Sequence, residues 1–179
     1  IWYNCEKRRR DRLLSVRLFS KRLFFFGLSA CIMLALFGFS AQPGPESDAL
    51  SLPLASVLRR LFGLPLADAN RLVRKAAHFG AYFLLGGTLF GGFSTVFRAA
   101  GQRFRRFFFS ETTAVLYALF DEWHQHFSAA RTSALTDVCL DAAGAFCGAL
   151  CFSALFALIR RRKPRVGGTP FYHPPQRKR

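Results

Sequence analysis

The chain has 179 residues, of which 51% are hydrophobic and 22 are Phe, and its formal net charge is +16. The hydrophobic residues occur in long blocks, and Lys and Arg flank these blocks instead of forming a separate face. This pattern excludes nucleic acid as the explanation of the charge, and it predicts an all-α polytopic membrane protein with no nucleic-acid partner.

The first predicted element is a transmembrane helix behind a basic segment. Residues 1–22 carry eight Lys and Arg residues, and an apolar run follows at 23–41. A helix of about 19 residues crosses a hydrocarbon core of about 30 Å. We therefore predict a basic cytoplasmic segment at 1–22 and a first span at 23–41. A cleaved signal peptide is the alternative, but its apolar core is usually roughly 7–15 residues long.

The segment after this span is predicted to be an external loop. Residues 42–53 contain three prolines and a glycine, which interrupt helices. The next stretch, 55–70, has short amphipathic character and suits a position along the membrane interface. Asp68 or Asn70 is the expected N-cap of the following helix.

The second and third spans are predicted at 76–97 and 107–127, joined by a basic link at 98–106. In the second span, Gly87 and Gly91 form a GxxxG pattern, which favours close helix contact in a membrane. The third span is unusual because polar residues crowd its end. We therefore expect either that neighbouring helices shield it from lipid or that the span ends near Asp121.

The fourth span is predicted at 135–159, with a second GxxxG pattern at Gly144 and Gly148. The remaining residues, 160–179, are basic and rich in proline. They are predicted to form a disordered cytoplasmic tail whose use is electrostatic contact with anionic lipid.

The distribution of Lys and Arg predicts the orientation of the four spans. These residues number eight in 1–22, four in 98–106 and eight in 160–179, against six in the segments on the other side. Positively charged loops are retained in the cytoplasm. Both termini are therefore expected to be cytoplasmic.

This topology brings polar residues from three helices to the outer face of the membrane. The second and fourth spans start there and the third ends there. At about 100° per residue, the polar residues of each span fall on one face of its helix. A lone acid near the membrane centre costs about 3 kcal/mol, so these acids are expected to face protein. The predicted binding or functional cluster consists of Lys75, His78, Tyr82, Asp121, Glu122, His124, Gln125, Arg131, Asp137 and Asp141.

Acid and imidazole groups in a partly dry site can also serve as general acid and base. If the chain is an enzyme, the candidate catalytic residues are Asp121, Glu122, His78 and His124. No nucleophile motif, phosphate-binding loop or cofactor signature accompanies them. Binding is therefore favoured over catalysis, and no cofactor is expected.

A structural interpretation of the same cluster stays open. In it, Arg131 and Lys75 only neutralise the acids and hold the helices together. A metal site is not expected, because the His-x-His pair at His124 and His126 splays apart on a helix and no HExxH motif is present.

Four segments resemble the VanZ-like family of bacterial membrane proteins. They are FSAQPGPESDALS at 39–51, RKAAHFGAYFLLG at 74–86, DEWHQHF at 121–127 and RTSALTDVCLDAAGAFCG at 131–148, and they follow the order of the family. One departure is Ala129 and Ala130, where family members tend to have Pro-Gly. The resemblance implies a four-helix membrane domain at 23–159.

The resemblance also implies a location and a phenotype. The family is known by resemblance to a protein associated with resistance to the glycopeptide antibiotic teicoplanin, which places the chain in the bacterial cytoplasmic membrane. The expected partners are membrane lipids and, at the outer cluster, a lipid-linked wall precursor or a lipoglycopeptide. The alternative is a small intramembrane enzyme or proton-coupled transporter that acts on a lipid-linked envelope substrate.

Overall fold

A computed structural model describes residues 2–42, 44–125 and 135–162, and almost all of them are helical. The helices are α1 (Trp2–Ser40), α2 (Gly44–Phe62), α3 (Leu66–Val96), α4 (Arg103–Gln125) and α5 (Leu135–Arg162), with a 3-10 turn at Ala100–Gln102. The prediction of an all-α fold is confirmed, since the described part of the chain contains no strand. Residues 160–162 of the predicted tail belong to α5, and the rest of it, 163–179, lies outside the described residues.

Three of the helices are long and apolar enough to cross a membrane. They are α1 over Glu6–Ser40, α3 over Leu66–Val96 and α5 over Leu135–Ile159. Large apolar side chains also cover the outward surfaces of the bundle, for example Leu34 at 71% exposure and Leu116 at 61%. Exposed apolar side chains in this number suit lipid and not water. The chain is therefore a membrane protein.

The third predicted span, 107–127, corresponds to α4, which does not meet the same criterion within the described residues, so three of the four predicted spans do. Its 23 residues suffice in length, but Arg106, Glu111, Asp121 and Glu122 interrupt its apolar sequence. α4 packs against α1, α3 and α5. Several of its polar side chains are thereby buried inside the bundle, as the sequence predicted for a helix shielded by its neighbours.

The closest packing in the bundle is between α3 and α5. A Cβ added to Gly144 would come within 2.6 Å of the carbonyl oxygen of Phe79 on α3, and one added to Gly148 would overlap the carbonyl oxygen of Phe83. From the other side, Gly86 lies against the backbone of Ala145. The predicted contact through Gly144 and Gly148 is therefore present, since both residues let two backbones approach.

The GxxxG pattern at Gly87 and Gly91 has a different role from the one that its spacing suggests. A Cβ on Gly87 would meet the ring of Phe152 on α5, and a Cβ on Gly91 would meet the ring of Phe25 on α1. These two glycines thus receive aromatic rings from two different helices. Gly86, their neighbour, makes the backbone contact instead.

The predicted loop at 42–53 is largely wrong, because α2 begins at Gly44 and continues to Phe62. Pro45 lies in the first turn, where a missing N–H removes no helical hydrogen bond. Pro53 lies inside the helix and removes one such bond. Packing of Ala55 against α3 stabilises α2 despite this loss.

The start of α3 also differs from the prediction. The helix begins at Leu66 behind Pro65, so neither Asp68 nor Asn70 is its N-cap. Gly63, with φ of 68°, makes the turn between α2 and α3. The early start makes α3 31 residues long, and its first two turns pack beside α2.

Candidate functional site

An open cleft of about 770 Å³ lies where α2, the first third of α3, the end of α4 and the start of α5 meet. We call it the polar cleft. Its polar lining residues are Asp48, Asn70, Arg71, Arg74, Lys75, His78, Glu122, Gln125, Thr136, Asp137 and Asp141. Side chains from four helices therefore surround one space at one end of the bundle.

Two pairs of side chains connect α3 to α5 along one wall of the cleft. The Lys75 Nζ donates to Asp137 Oδ1 at 2.6 Å. One turn deeper, His78 Nδ1 lies 3.8 Å from Asp141 Oδ2, an ion pair when the imidazole is protonated. The outer pair is 43% and 31% exposed, so it contributes only about 0–1 kcal/mol, whereas Asp141 is 2% exposed.

The third helix contributes Asp121, which is 1% exposed. Its Oδ2 accepts hydrogen bonds from Ser40 Oγ at 2.9 Å and from Gln125 Nε2 at 3.1 Å. Asp121 is also close enough to His78 and Asp141 for their charges to interact. The carboxylate is thus fixed on one side by α1 and its own helix, and it faces α3 and α5 on the other.

Three oxygen atoms in this region are buried and have no hydrogen-bond partner among the described residues. They are Tyr82 OH, Asp121 Oδ1 and Asp141 Oδ1. Tyr82 is fully buried and interacts electrostatically with both carboxylates. A buried polar atom without a partner costs about 1–3 kcal/mol. Of the three residues, only Asp141 lines the polar cleft, and Tyr82 and Asp121 are buried beside it. Chemically, the three oxygens form a group of buried hydrogen-bond acceptors next to the cleft.

The structure brings most of the predicted cluster together but separates His124 from it. Glu122 and Gln125 line the cleft. His124 instead packs on Phe37 of α1, with ring centroids 4.4 Å apart. Three residues on a helix turn by about 300°, so His124 lies beside the stripe of Asp121 and turns toward α1. His124, one of the four candidate catalytic residues, therefore does not line the cleft.

One predicted member cannot be placed. Arg131 lies in 126–134, outside the described residues, and so does His126. Within the described ranges, no three His, Cys, Asp or Glu side chains are arranged to hold a metal ion. The functional role of the cluster stays a prediction.

Sequence reasoning missed several polar residues that support the cleft from α1 and α2. Asp48 Oδ1 accepts hydrogen bonds from Asn70 Nδ2 at 2.8 Å and from Arg74 Nη1 at 3.4 Å, and Ser51 donates to Asn70. Ser40 holds Asp121. The segment FSAQPGPESDALS contains both residues, but Ser40 falls at the end of the predicted first span and Asp48 in the predicted loop, so the sequence gives neither side chain a partner.

A sequence profile of the VanZ/LLP1 family matches residues 25–158, which is most of the chain. This range includes every residue that lines the polar cleft. Comparisons with curated proteins and with solved structures find no significant match. The VanZ-like resemblance of the four segments is thereby confirmed, and the chain belongs to the VanZ/LLP1 family.

Proposed function

We propose that this VanZ/LLP1 protein lies in the bacterial cytoplasmic membrane with four transmembrane helices and both termini in the cytoplasm. Three apolar helices and the packing of α4 against all of them support four spans. The excess of Lys and Arg at both termini and in 98–106 supports this orientation. The polar cleft then opens at the outer surface.

Single cysteines test this topology in a variant whose native cysteines are replaced. Asp68→Cys near the start of α3 should react with a membrane-impermeant maleimide added to intact spheroplasts. Gly101→Cys, in the link between α3 and α4, should react only after lysis. Both positions are exposed, so accessibility within the fold is matched. Labelling of both positions from outside would contradict the four-span arrangement.

The function that we propose is binding of the polar head of an envelope molecule in the polar cleft. A lipid-linked wall precursor and a teicoplanin-type lipoglycopeptide both present polar heads at this depth of the membrane. The observation that carries the proposal is the pair of buried carboxylates, Asp121 and Asp141, each with one oxygen that has no described partner. They lie at or beside a cleft whose lining includes Arg71, Arg74 and Lys75. Acids at this depth are costly without partners, which favours a role in binding.

Antibiotic susceptibility tests the proposal. Expression of the chain in a teicoplanin-susceptible strain should raise the inhibitory concentration of teicoplanin more than that of vancomycin. Asp121→Ala, Asp141→Ala and His78→Ala should each return it to the level of the empty vector, because each removes a polar group that lines the cleft or is buried beside it. Immunoblotting of membranes checks that the variants are present.

The matched control is Asp11→Ala, which removes an exposed carboxylate near the other end of α1. This variant should keep full resistance. Full resistance in all three cleft variants would contradict a role of the cluster, and equal protection against both antibiotics would contradict recognition of a lipoglycopeptide.

A second candidate is a small intramembrane enzyme or proton-coupled transporter. The observation that favours it is the 3.8 Å pair of His78 and Asp141 beside Asp121, since adjacent imidazole and carboxyl groups can pass a proton. Purified protein in liposomes with labelled lipid-linked precursor separates the two candidates. Saturable binding without turnover supports the first proposal, and turnover or proton-driven movement of the precursor supports the second.

A further inference from the structure

Resting on the proposed binding function, we infer that the polar cleft selects a lipid headgroup in which a primary ammonium and a phosphate are joined by a short spacer, as in phosphatidylethanolamine. The inference rests on the separation of charge within the cleft. Buried Asp141 forms its floor, with Asp121 buried close by, and exposed or half-exposed bases line its rim. A headgroup with both charges would match both regions.

The floor fits a primary ammonium group. Such a group carries one positive charge and three N–H donors. Asp141 lies at the floor, and Tyr82 and Asp121 are buried beside it. The oxygens of these three residues that have no described partner would accept its hydrogen bonds once the side chains shift to admit it. A cation among these groups would also offset the repulsion between the two carboxylates. A quaternary ammonium has the charge but no N–H donors, so it would leave the oxygens without hydrogen bonds.

The rim fits the phosphate. Arg71, Arg74 and Lys75 all line the cleft from successive positions on one face of α3. Arg74 and Lys75 are held by single acids, Asp48 and Asp137, and retain further N–H donors. Arg71 is exposed and forms no ion pair within the described residues. Phosphate oxygens are strong acceptors for such groups.

The distance between the two regions is short. Along α3, His78 lies three residues beyond Lys75 and four beyond Arg74, which is a rise of about 4.5–6 Å at 1.5 Å per residue. His78 pairs with Asp141, so this rise leads from the rim to the floor. The two-carbon spacer of ethanolamine covers a separation of this order. A long or branched spacer would not place both charges at once.

Isothermal titration calorimetry of the full chain in detergent micelles tests the inference. The ligands are water-soluble dihexanoyl lipids with ethanolamine, choline or glycerol headgroups, all of which share the phosphate. The ethanolamine lipid should bind about tenfold or more tightly than the other two, since charge-assisted hydrogen bonds distinguish it. Equal affinity for the ethanolamine and choline lipids, or tighter binding of the glycerol lipid, would overturn the inference.

Variants separate the two halves of the headgroup. Asp141→Asn should reduce affinity for the ethanolamine lipid to that of the choline lipid, and Tyr82→Phe should reduce it partly while keeping the ring. Arg71→Gln should weaken all three lipids together. Asp11→Asn is the control and should change none. Loss of discrimination in Arg71→Gln with retained discrimination in Asp141→Asn and Tyr82→Phe would contradict the assignment.

The same titration distinguishes failure of this inference from failure of the proposed function. A chain that binds a lipid-linked wall precursor or teicoplanin through Asp121 and Asp141, but shows no preference among the three lipids, overturns the selectivity only. A chain that binds neither these molecules nor any of the lipids overturns both.

Discussion

Replacing Gly148 with Ala should lower the free energy of unfolding by about 3 kcal/mol or more. A Cβ at this position would overlap the carbonyl oxygen of Phe83 and approach the backbone nitrogen of Gly87 to 3.1 Å. Both atoms belong to the backbone of α3, so no side chain can rotate away. The two helices would have to move apart, which would weaken the largest contact in the bundle.

Thermal unfolding in detergent micelles, followed by circular dichroism, measures this effect. For a chain of this size, each kcal/mol corresponds to about 2–4 °C, so Gly148→Ala should lower Tm by roughly 6–12 °C. Gly80→Ala is the matched control on α3, because nothing lies within 4 Å of its added Cβ. Its Tm should stay constant or rise, since Ala favours helix over Gly by up to about 1 kcal/mol.

A third glycine variant should give an intermediate loss of stability. Gly87→Ala would bring its Cβ against the ring of Phe152, which can rotate at some cost. Its effect should therefore lie between those of Gly80→Ala and Gly148→Ala. An unchanged Tm in Gly148→Ala would contradict the close approach of α3 and α5.

The same helix contact positions the polar cleft. Gly144 lies against Phe79, which directly follows His78, and the pairs of His78 with Asp141 and Lys75 with Asp137 both span α3 and α5. A wider spacing would lengthen the 3.8 Å separation of His78 and Asp141. Gly148→Ala should therefore also weaken ligand binding, although residue 148 does not line the cleft.

Helical periodicity made much of this arrangement predictable from sequence. Lys75 and His78, like Asp137 and Asp141, are three or four residues apart, and this spacing fixes a shared face on any regular helix. The small residues Gly144 and Gly148 on the stripe of Asp141 indicated that the stripe faces protein. Each of these features depends only on residue spacing within one helix, so it can be predicted from the sequence alone.

The remaining features depend on contacts between elements, which periodicity does not contain. α2 forms despite Pro53 because it packs on α3, and only then does Asp48 reach Asn70. His124 turns toward Phe37 because α1 lies on that side of α4. The partner of Asp121 is Ser40, 81 residues earlier in the chain, and no local pattern connects the two.

Asp121→Asn should abolish ligand binding and leave Tm within about 2–4 °C of the original chain, whereas Asp121→Ala should lower both. The Asn oxygen can still accept the hydrogen bonds that Ser40 and Gln125 donate to Asp121 Oδ2. Its NH₂ group would then replace Oδ1, so a donor would face the ligand where an acceptor now stands. In Asp121→Ala, the Ser40 and Gln125 donors lose this acceptor, at a cost of about 1–3 kcal/mol.

This pair of variants separates binding from a purely structural role. If the acids serve only to neutralise Lys75 and other bases, the loss of charge in Asp121→Asn should itself destabilise the bundle, and the variant should be degraded in cells. If Asp121 binds a ligand, the Asn variant should accumulate normally, unfold near the original Tm and show no saturable binding. Asp11→Asn makes the same change on an exposed residue and should alter neither quantity. A folded Asn variant with full affinity would exclude Asp121 from the site, because its charge would then serve neither the ligand nor the fold.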